Sequence, residues 1–445
     1  MTKMTFSPKK ILALDVLVLV LLTCYILAGV EKVPFHGDES TIIWMSADFD
    51  TVVLKGDISA VTYSPPSRRT TEQHLRILNG TLTRWVMGSA WYIAGFDRQD
   101  LNDQWVWGPD MEWNRANGHR PSDRLLKTTR LASAGFLVVS VALVLAMTRL
   151  VAHQVFSNPL ISAIAGWLSA SLYALNPVVL MNGRRAMFEG PMLFGLALVG
   201  WAVLRLVNRS SSGKSYLLIG VTAGIALSTK HSAAFTIALL FFGLGLAEWS
   251  KLKTQIILKL GLASMTTLLI FLALTPLWWS KYLPDMPHIV LDERQKLLDE
   301  QVVLFGGYEG WGERLEGLWR GTFGVEPQYY EADYWSDYVG VSEENRQYEN
   351  SHLAGITSPV FVGIRFLLAV VGLSSVGLGW RQDGKSRIVG LWMIGILLLS
   401  WLTIPLDWQR YYLPIQTPLA LVMGLGGAAI LQTILYRRSS KHGVV

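Results

Sequence analysis

The sequence predicts an all-α polytopic membrane protein. Three observations carry that prediction: an apolar composition, repeated apolar runs about one bilayer long, and basic residues confined to alternate connections. Hydrophobic residues fill 51% and charged residues 16% of the 445 positions, with a mean hydropathy of +0.34, outside the balance of a soluble domain. A hydrocarbon core about 30 Å thick takes roughly 20 helical residues to cross. About ten runs approach that length: 11–30, 131–151, 160–180, 187–207, 216–229, 231–248, 256–276, 359–379, 388–405 and 412–435, the fifth being short.

The first run follows Lys9 and Lys10, is long for a signal-peptide core and has no small-x-small site behind it, so it reads as a retained helix. Cys24 is the only cysteine, which excludes an intrachain disulfide. With both termini in the cytoplasm, the inward connections hold sixteen Lys and Arg, from Lys3, Lys9 and Lys10 through Arg149, Arg205 and Lys251 to Arg437, Arg438 and Lys441, against only Glu248 and Asp383. The outward segment 31–130 holds 12 bases and 13 acids, and 277–358 holds 6 and 15. Basic residues in short loops mark the cytoplasmic side, so the net charge of +6 reports topology and does not point to nucleic acid.

Two outward segments are far longer than helix connections need and are expected to form the functional face. The chain thus divides into a membrane module over 1–276 that includes the outer segment 31–130, an outer region over 277–358, and C-terminal membrane helices over 359–445. Short amphipathic helices are expected in both outer segments, among them one within Glu72–Tyr92. Their aromatic residues, including Trp105, Trp107, Trp113, Trp311, Trp319 and Trp335, suit either an interfacial belt or platforms for a sugar or acceptor. Asn79-Gly80-Thr81 fits a glycosylation acceptor.

Charged groups at membrane depth cost several kcal/mol unless they are paired or line a cavity. The set here comprises Asp38 and Glu39 after the first run, Arg184, Arg185 and Glu189 between the third and fourth, and Lys230 and His231 between the fifth and sixth. Arg294 follows the seventh, and Asp407 and Arg410 separate the last two. The charge-derived topology puts all of them on the outer side, which points to one extracytoplasmic site. Bland readings stand beside this one: Arg185 and Glu189 as a pair four apart on a helix, Lys230 as a snorkelling lysine, and Asp407 with Arg410 as a local ion pair. Asp15, inside the first run, is expected to contact Lys10 or a neighbouring helix. No HExxH, paired CxxC or P-loop occurs.

Taken in order, Phe35-His36-Gly37-Asp38-Glu39, Arg130-Leu131-Ala132-Ser133-Ala134, Asn176-Pro177, Arg184 to Glu189, Gly224 to Lys230, Thr275-Pro276-Leu277-Trp278 with Pro284 and Arg294, and Arg410-Tyr411-Tyr412-Leu413-Pro414 resemble a membrane glycosyltransferase of the GT-C superfamily. The resemblance is to the protein O-mannosyltransferase and aminoarabinose-transferase-like group (glycosyltransferase family 39 type) and spans nearly the whole chain. The sequence departs from that group at Glu189, where Asp is common, and at Tyr63-Ser64-Pro65-Pro66, which replaces a His-Pro-Pro-Leu element. About 80 residues between the seventh and eighth runs leave no room for the β-trefoil of the eukaryotic enzymes.

The resemblance implies a GT-C-like bundle in the cell membrane and inverting transfer of a sugar from a polyprenyl-phosphate donor to a hydroxyl of a protein, lipid or glycan acceptor. It implies Asp38 as the base and Glu39 as a residue positioning acceptor or sugar. Arg184, Arg185, Glu189, Lys230, His231, Arg294 and Arg410 are then the donor phosphate and sugar residues. A single phosphate can be matched by Arg and Lys, so no cofactor and no obligatory metal are expected. The competing readings are a lipid-linked sugar flippase or small-solute transporter, in which buried charges mark a translocation path, and a scaffold or sensor with a Trp-rich outer region.

Overall fold

A computed structural model describes residues 7–207, 212–332, 335, 340–380 and 383–441. All regular structure among them is helical. Eight helices are long and apolar enough to cross a bilayer: α1 (Pro8–Ala28), α6 (Asp123–Val155), α9 (Glu189–Leu206), α11 (Ala233–Leu252), α12 (Gln255–Leu274), α16 (Val360–Gly379), α17 (Gly384–Thr403) and the span Gln409–Arg437, most of which is α18 (Leu413–Lys441). A ninth crossing is a bent pair, α7 (Pro159–Ala174) and α8 (Pro177–Arg184), which meet at 62°. The expected ten spans are therefore eight or nine. The fifth run, α10 (Gly213–Thr229), is a helix of only 17 residues that packs along α9 and α12 inside the bundle.

The break after α7 follows from Asn176-Pro177. Proline disfavours helical backbone at the residue before it and supplies no N–H, while Asn176 Oδ1 accepts from the Val178 amide at 2.9 Å and restarts the helix as its cap. The 33 residues of α6 reach about 50 Å at 1.5 Å per residue, longer than the hydrocarbon is thick. Its first turns, with Arg130, therefore extend into the outer layer. One continuous apolar core runs through the bundle. Leu12, Val16 and Leu21 of α1, Leu258 and Met265 of α12 and Val360 and Leu367 of α16 stay exposed, as lipid-facing surfaces require. Asp15 of α1 is paired with Arg149 of α6 and accepts from Trp167 Nε1 at 2.7 Å, so its partner is a neighbouring helix and not Lys10.

The two outer segments interlock. The first contributes α2 (Gly37–Met45), α3 (Thr71–Leu78), α4 (Leu82–Ile93) and α5 (Met111–Ala116), and the second α13 (Met286–Phe305), α14 (Trp311–Phe323) and α15 (Val341–Glu349). Tyr63 N–H donates to Leu277 O at 3.0 Å, Arg68 pairs with Glu293 at 3.0 Å, and Tyr330 Oη donates to Phe35 O at 2.6 Å. Trp105 and Trp335 are buried in the apolar core of this layer, with Trp107 packed against it; Trp113, Trp311 and Trp319 are exposed.

Arg184, on the last turn of α8, locks α1 to this layer. It donates to Ile26 O at 2.9 Å, Tyr25 O at 2.7 Å, Tyr348 Oη at 2.9 Å and Leu353 O at 2.5 Å. Gly29 leaves the space for its guanidinium, because a Cβ there would overlap it. Gly29→Ala is therefore expected to destabilise the protein by about 1–3 kcal/mol through overpacking, read as a lowered melting temperature in detergent.

Candidate active site

The acidic pair opens α2, and the two carboxylates diverge. His36 caps the helix: its Nδ1 accepts from Asp38 N–H at 3.1 Å, while Glu39 Oε2 accepts from His36 N–H at 3.1 Å. Glu39 is fully buried. Arg130 grips it through two bonds of 2.7 Å, and the Ala186 amide donates to it at 2.8 Å. Burial alone would raise the Glu39 carboxyl, but Arg130, with Arg185 and the Ala186 amide, holds it below its ordinary value. With every lone pair engaged, Glu39 is out of reach of any acceptor or sugar; it ties α2 to α6 and to the segment before α9. Asp38, by contrast, keeps 30% of its side chain exposed.

Asp38 lies against Arg410, to which it is paired through Nη1 and Oδ2. Arg410 sits on the 3-10 turn Gln409–Tyr412 that enters α18. Gln328 and Gln409 fix that turn by exchanging backbone N–H to side-chain bonds of 2.8 Å each. Asp407 does not pair with Arg410: it takes Arg320 at 2.5 Å and Tyr308 Oη at 2.9 Å. Arg410 Nε makes a second ion pair with Glu331 Oε1 at 2.9 Å, and Glu331 Oε2 lies 2.9 Å from His36 Nε2. Because His36 Nδ1 accepts from an amide, the imidazole proton sits on Nε2 and is donated to Glu331. Burial pushes the Glu331 carboxyl upward, but Arg410 and His36 hold it well below the usual carboxylate range.

Two adjoining chambers share this corner. The polar one, about 220 Å³, is lined by Asp38, Glu189, Arg84, Lys230, Arg294 and Arg410, with Asn79, Gln301 and Tyr411. Two carboxylates there face four cations. The second, about 400 Å³, is walled by Phe235 of α11, Ile396 and Leu399 of α17 and Val290, Leu291 and Leu298 of α13, and it also touches Lys230, His231, Arg294 and Arg410. Lys230 lines both chambers and His231 the apolar one, at the point where α10 ends at Lys230 in extended backbone, φ −159° and ψ 133°.

Lys230 Nζ donates to Glu189 Oε1 at 2.7 Å, so Glu189 pairs across helices and not with Arg185. Glu189 Oε2 is buried and has no hydrogen-bond partner among the described residues. Burial lowers the Lys230 ammonium against the pull of Glu189, and Arg410 lowers it further. Burial, with Arg294 and Arg84 nearby, pushes His231 down to about 4, leaving a neutral imidazole at neutral pH. Arg294 lies over the Tyr411 ring at 5.8 Å.

Of the predicted cations, Lys230, Arg294 and Arg410 converge with Asp38 and Glu189. Arg184 and Arg185 do not. Arg184 is consumed by the carbonyls and the Tyr348 hydroxyl described above. Arg185 donates to Pro34 O and Tyr329 O at 3.1 Å each, and neither arginine lines the chambers. Glu331 and Arg84 were not singled out from the sequence. Arg84 is buried and tied to Asp48 and to Thr81 Oγ1 at 3.1 Å; its only sequence signal is that it is one of two arginines, with Arg76, in the amphipathic Glu72–Tyr92 stretch. Asn79 lines the polar chamber and donates to Leu75 O at 3.1 Å, and Thr81 is buried, so the glycosylation triplet is packed into the folded chain.

Residues 104–289, from the outer segment through α12 into α13, match the dolichyl-phosphate-mannose-protein mannosyltransferase family. That match covers less than half of the chain, which over this region is similar to the family. Among solved structures similar to it, ArnT from Cupriavidus metallidurans bound to undecaprenyl phosphate is 12% identical at a TM-score of 0.51, over 94% of this chain and 60% of its own. The apo oligosaccharyltransferase of Archaeoglobus fulgidus is 13% identical at 0.50, over 97% and 52%. The S. cerevisiae protein O-mannosyltransferase Pmt1-Pmt2 complex is 16% identical at 0.40, over 66% and 35%. The chain thus spans from about a third to three fifths of the solved proteins it matches. No curated protein matches the sequence. At these identities the likeness to ArnT and the archaeal enzyme is one of fold.

Proposed function

We propose that this protein transfers a sugar from a polyprenyl-phosphate donor to an acceptor hydroxyl, inverting the anomeric centre, at the extracytoplasmic face. One observation carries the reading: an exposed carboxylate, Asp38, shares a polar chamber with Lys230, Arg294 and Arg410, and those same cations border a larger apolar chamber. The donor phosphate sits among the cations, its polyprenyl chain runs along the apolar walls, and its sugar enters the polar chamber. An acceptor hydroxyl is a weak nucleophile at neutral pH, so Asp38 takes its proton as the oxygen attacks the anomeric carbon. The carbon–oxygen bond to the phosphate breaks with its electron pair, and the charge gained by the leaving phosphate is met by preorganised cations. Glu189 Oε2, with no other partner among the described residues, accepts from a sugar hydroxyl. Neutral His231 offers a hydrogen bond without adding charge.

The acceptor is a protein, lipid or glycan hydroxyl. The basic inward connections support cytoplasmic termini and an outward-facing site. Incubating the purified protein with radiolabelled polyprenyl-phosphate sugar and native membranes tests the reading. Covalent transfer of label is expected; redistribution of intact donor across the bilayer would instead mean a flippase. Arg294→Gln removes a cation that makes no ion pair among the described residues. It is expected to raise the donor KM by about tenfold, the scale of one hydrogen bond to a charged group, with its melting temperature unchanged. An unaltered KM would remove Arg294 from the phosphate site.

A further inference from the structure

Arg410 serves two anions at once, and the two contacts differ in kind: with Asp38 it makes a hydrogen-bonded ion pair, with Glu331 an ion pair by proximity without hydrogen-bond geometry. Its Nη1 holds Asp38, which stands in the polar chamber, while its Nε holds Glu331, whose side chain is 8% exposed and is clamped from behind by His36. Arg410 also borders the apolar chamber. We infer that Glu331 is a positioning residue of the transfer reaction: it keeps Arg410 at the junction of the chambers while the terminal nitrogens of Arg410 exchange Asp38 for the donor phosphate.

The exchange has a chemical consequence. Arg410 Nη1 occupies Asp38 Oδ2, so that oxygen is held in reserve until a phosphate competes for Arg410. Once the phosphate takes the terminal nitrogens, Asp38 Oδ2 is free to accept the hydroxyl proton. The acceptor oxygen bonds to the anomeric carbon, and the phosphate leaves with the electron pair and one more negative charge, which Arg410 already faces. The proton ends on Asp38, so charge balances. Without Glu331 the guanidinium keeps, among the described residues, Asp38 as its one ion-pair partner beside the Trp408 ring, and departure toward the phosphate breaks that ion pair. A lysine at 410 could not divide itself in this way, because its ammonium lacks the planar fork that presents separate nitrogens to two carboxylates. His36 completes the arrangement: with Nδ1 tied to the Asp38 amide and Nε2 to Glu331, it sets the spacing of the two carboxylates that Arg410 spans.

The inference rests on the donor reading above, and its test separates the two. The readout is the affinity of the full-length protein in detergent for undecaprenyl phosphate, a probe that needs neither the donor sugar nor the acceptor. If Glu331 were a bystander anion, neutralising it would lessen repulsion of the phosphate, and Glu331→Gln would bind as tightly as wild type or more tightly. The positioning role predicts the opposite sign, a loss of about tenfold. Glu331→Asp, which keeps the charge one methylene short, is expected to fall between Gln and wild type. Asp38→Asn, which removes the competitor for Arg410, is expected to bind at least as tightly as wild type. Unchanged or tighter binding by Glu331→Gln overturns the inference. Should that variant not be recovered folded, wild-type affinity in Glu331→Asp overturns it instead. A wild-type protein that fails to bind undecaprenyl phosphate would refute the donor reading itself.

Discussion

Asp38→Asn is expected to cut sugar transfer by about 10² to 10⁴-fold, the usual contribution of a positioned general base, in a protein that still inserts and melts like wild type. Asparagine keeps the shape of the side chain and can still accept from Arg410, but it cannot take a proton at neutral pH. The fold does not depend on the charge: Asp38 is 30% exposed, and Arg410 retains Glu331. Comparing turnover with the melting curve of the same preparation checks both halves of the expectation. Near wild-type turnover would exclude Asp38 as the base.

The neighbouring residue is expected to behave in the opposite way. Glu39→Ala leaves Arg130, 4% exposed, facing among the described residues only the carbonyls of Val30 and Val33 at 3.2 and 2.9 Å. It also strips the Ala186 amide of its partner. Removing one member of a buried ion pair costs about 3–5 kcal/mol, so a large drop in melting temperature is expected, with loss of activity following from loss of fold. The pH dependence has a definite sign. The folded carboxyl lies below its ordinary value of 4.5, so its stabilisation is complete above that value and fades as the pH falls through the folded one. Wild type is expected to lose stability on acidification over that range, and Glu39→Gln to lack this component. A Glu39→Ala variant as stable as wild type would contradict the anchoring role.

The contrast shows what was legible. That Asp38 and Glu39 diverge follows from their adjacency at the start of a helix. Which of them faces the cavity does not, because it depends on Arg130 arriving from α6, 91 positions away. The same limit separates the arginines. Arg184, Arg185, Arg294 and Arg410 look alike as charges beside apolar runs. Arg184 and Arg185 are spent on backbone carbonyls that only the packed outer layer brings to them. Glu331 stood unmarked among the fifteen acids of 277–358, since nothing local signals that it meets Arg410 and His36. The bend at Asn176-Pro177 was written in the residues, yet the hydropathy of 160–180 is continuous through it, so apolarity alone read a single span.

By itself the sequence determined most of the spans, because desolvating a helical backbone in lipid demands a local run of apolar residues whatever its neighbours are. It also determined the inventory of charges too costly to bury without purpose. The partner of each charge was decided only by tertiary structure. An ion pair or a cavity is a relation between segments far apart in the chain, and its energy depends on distances and burial that exist only once the helices have packed.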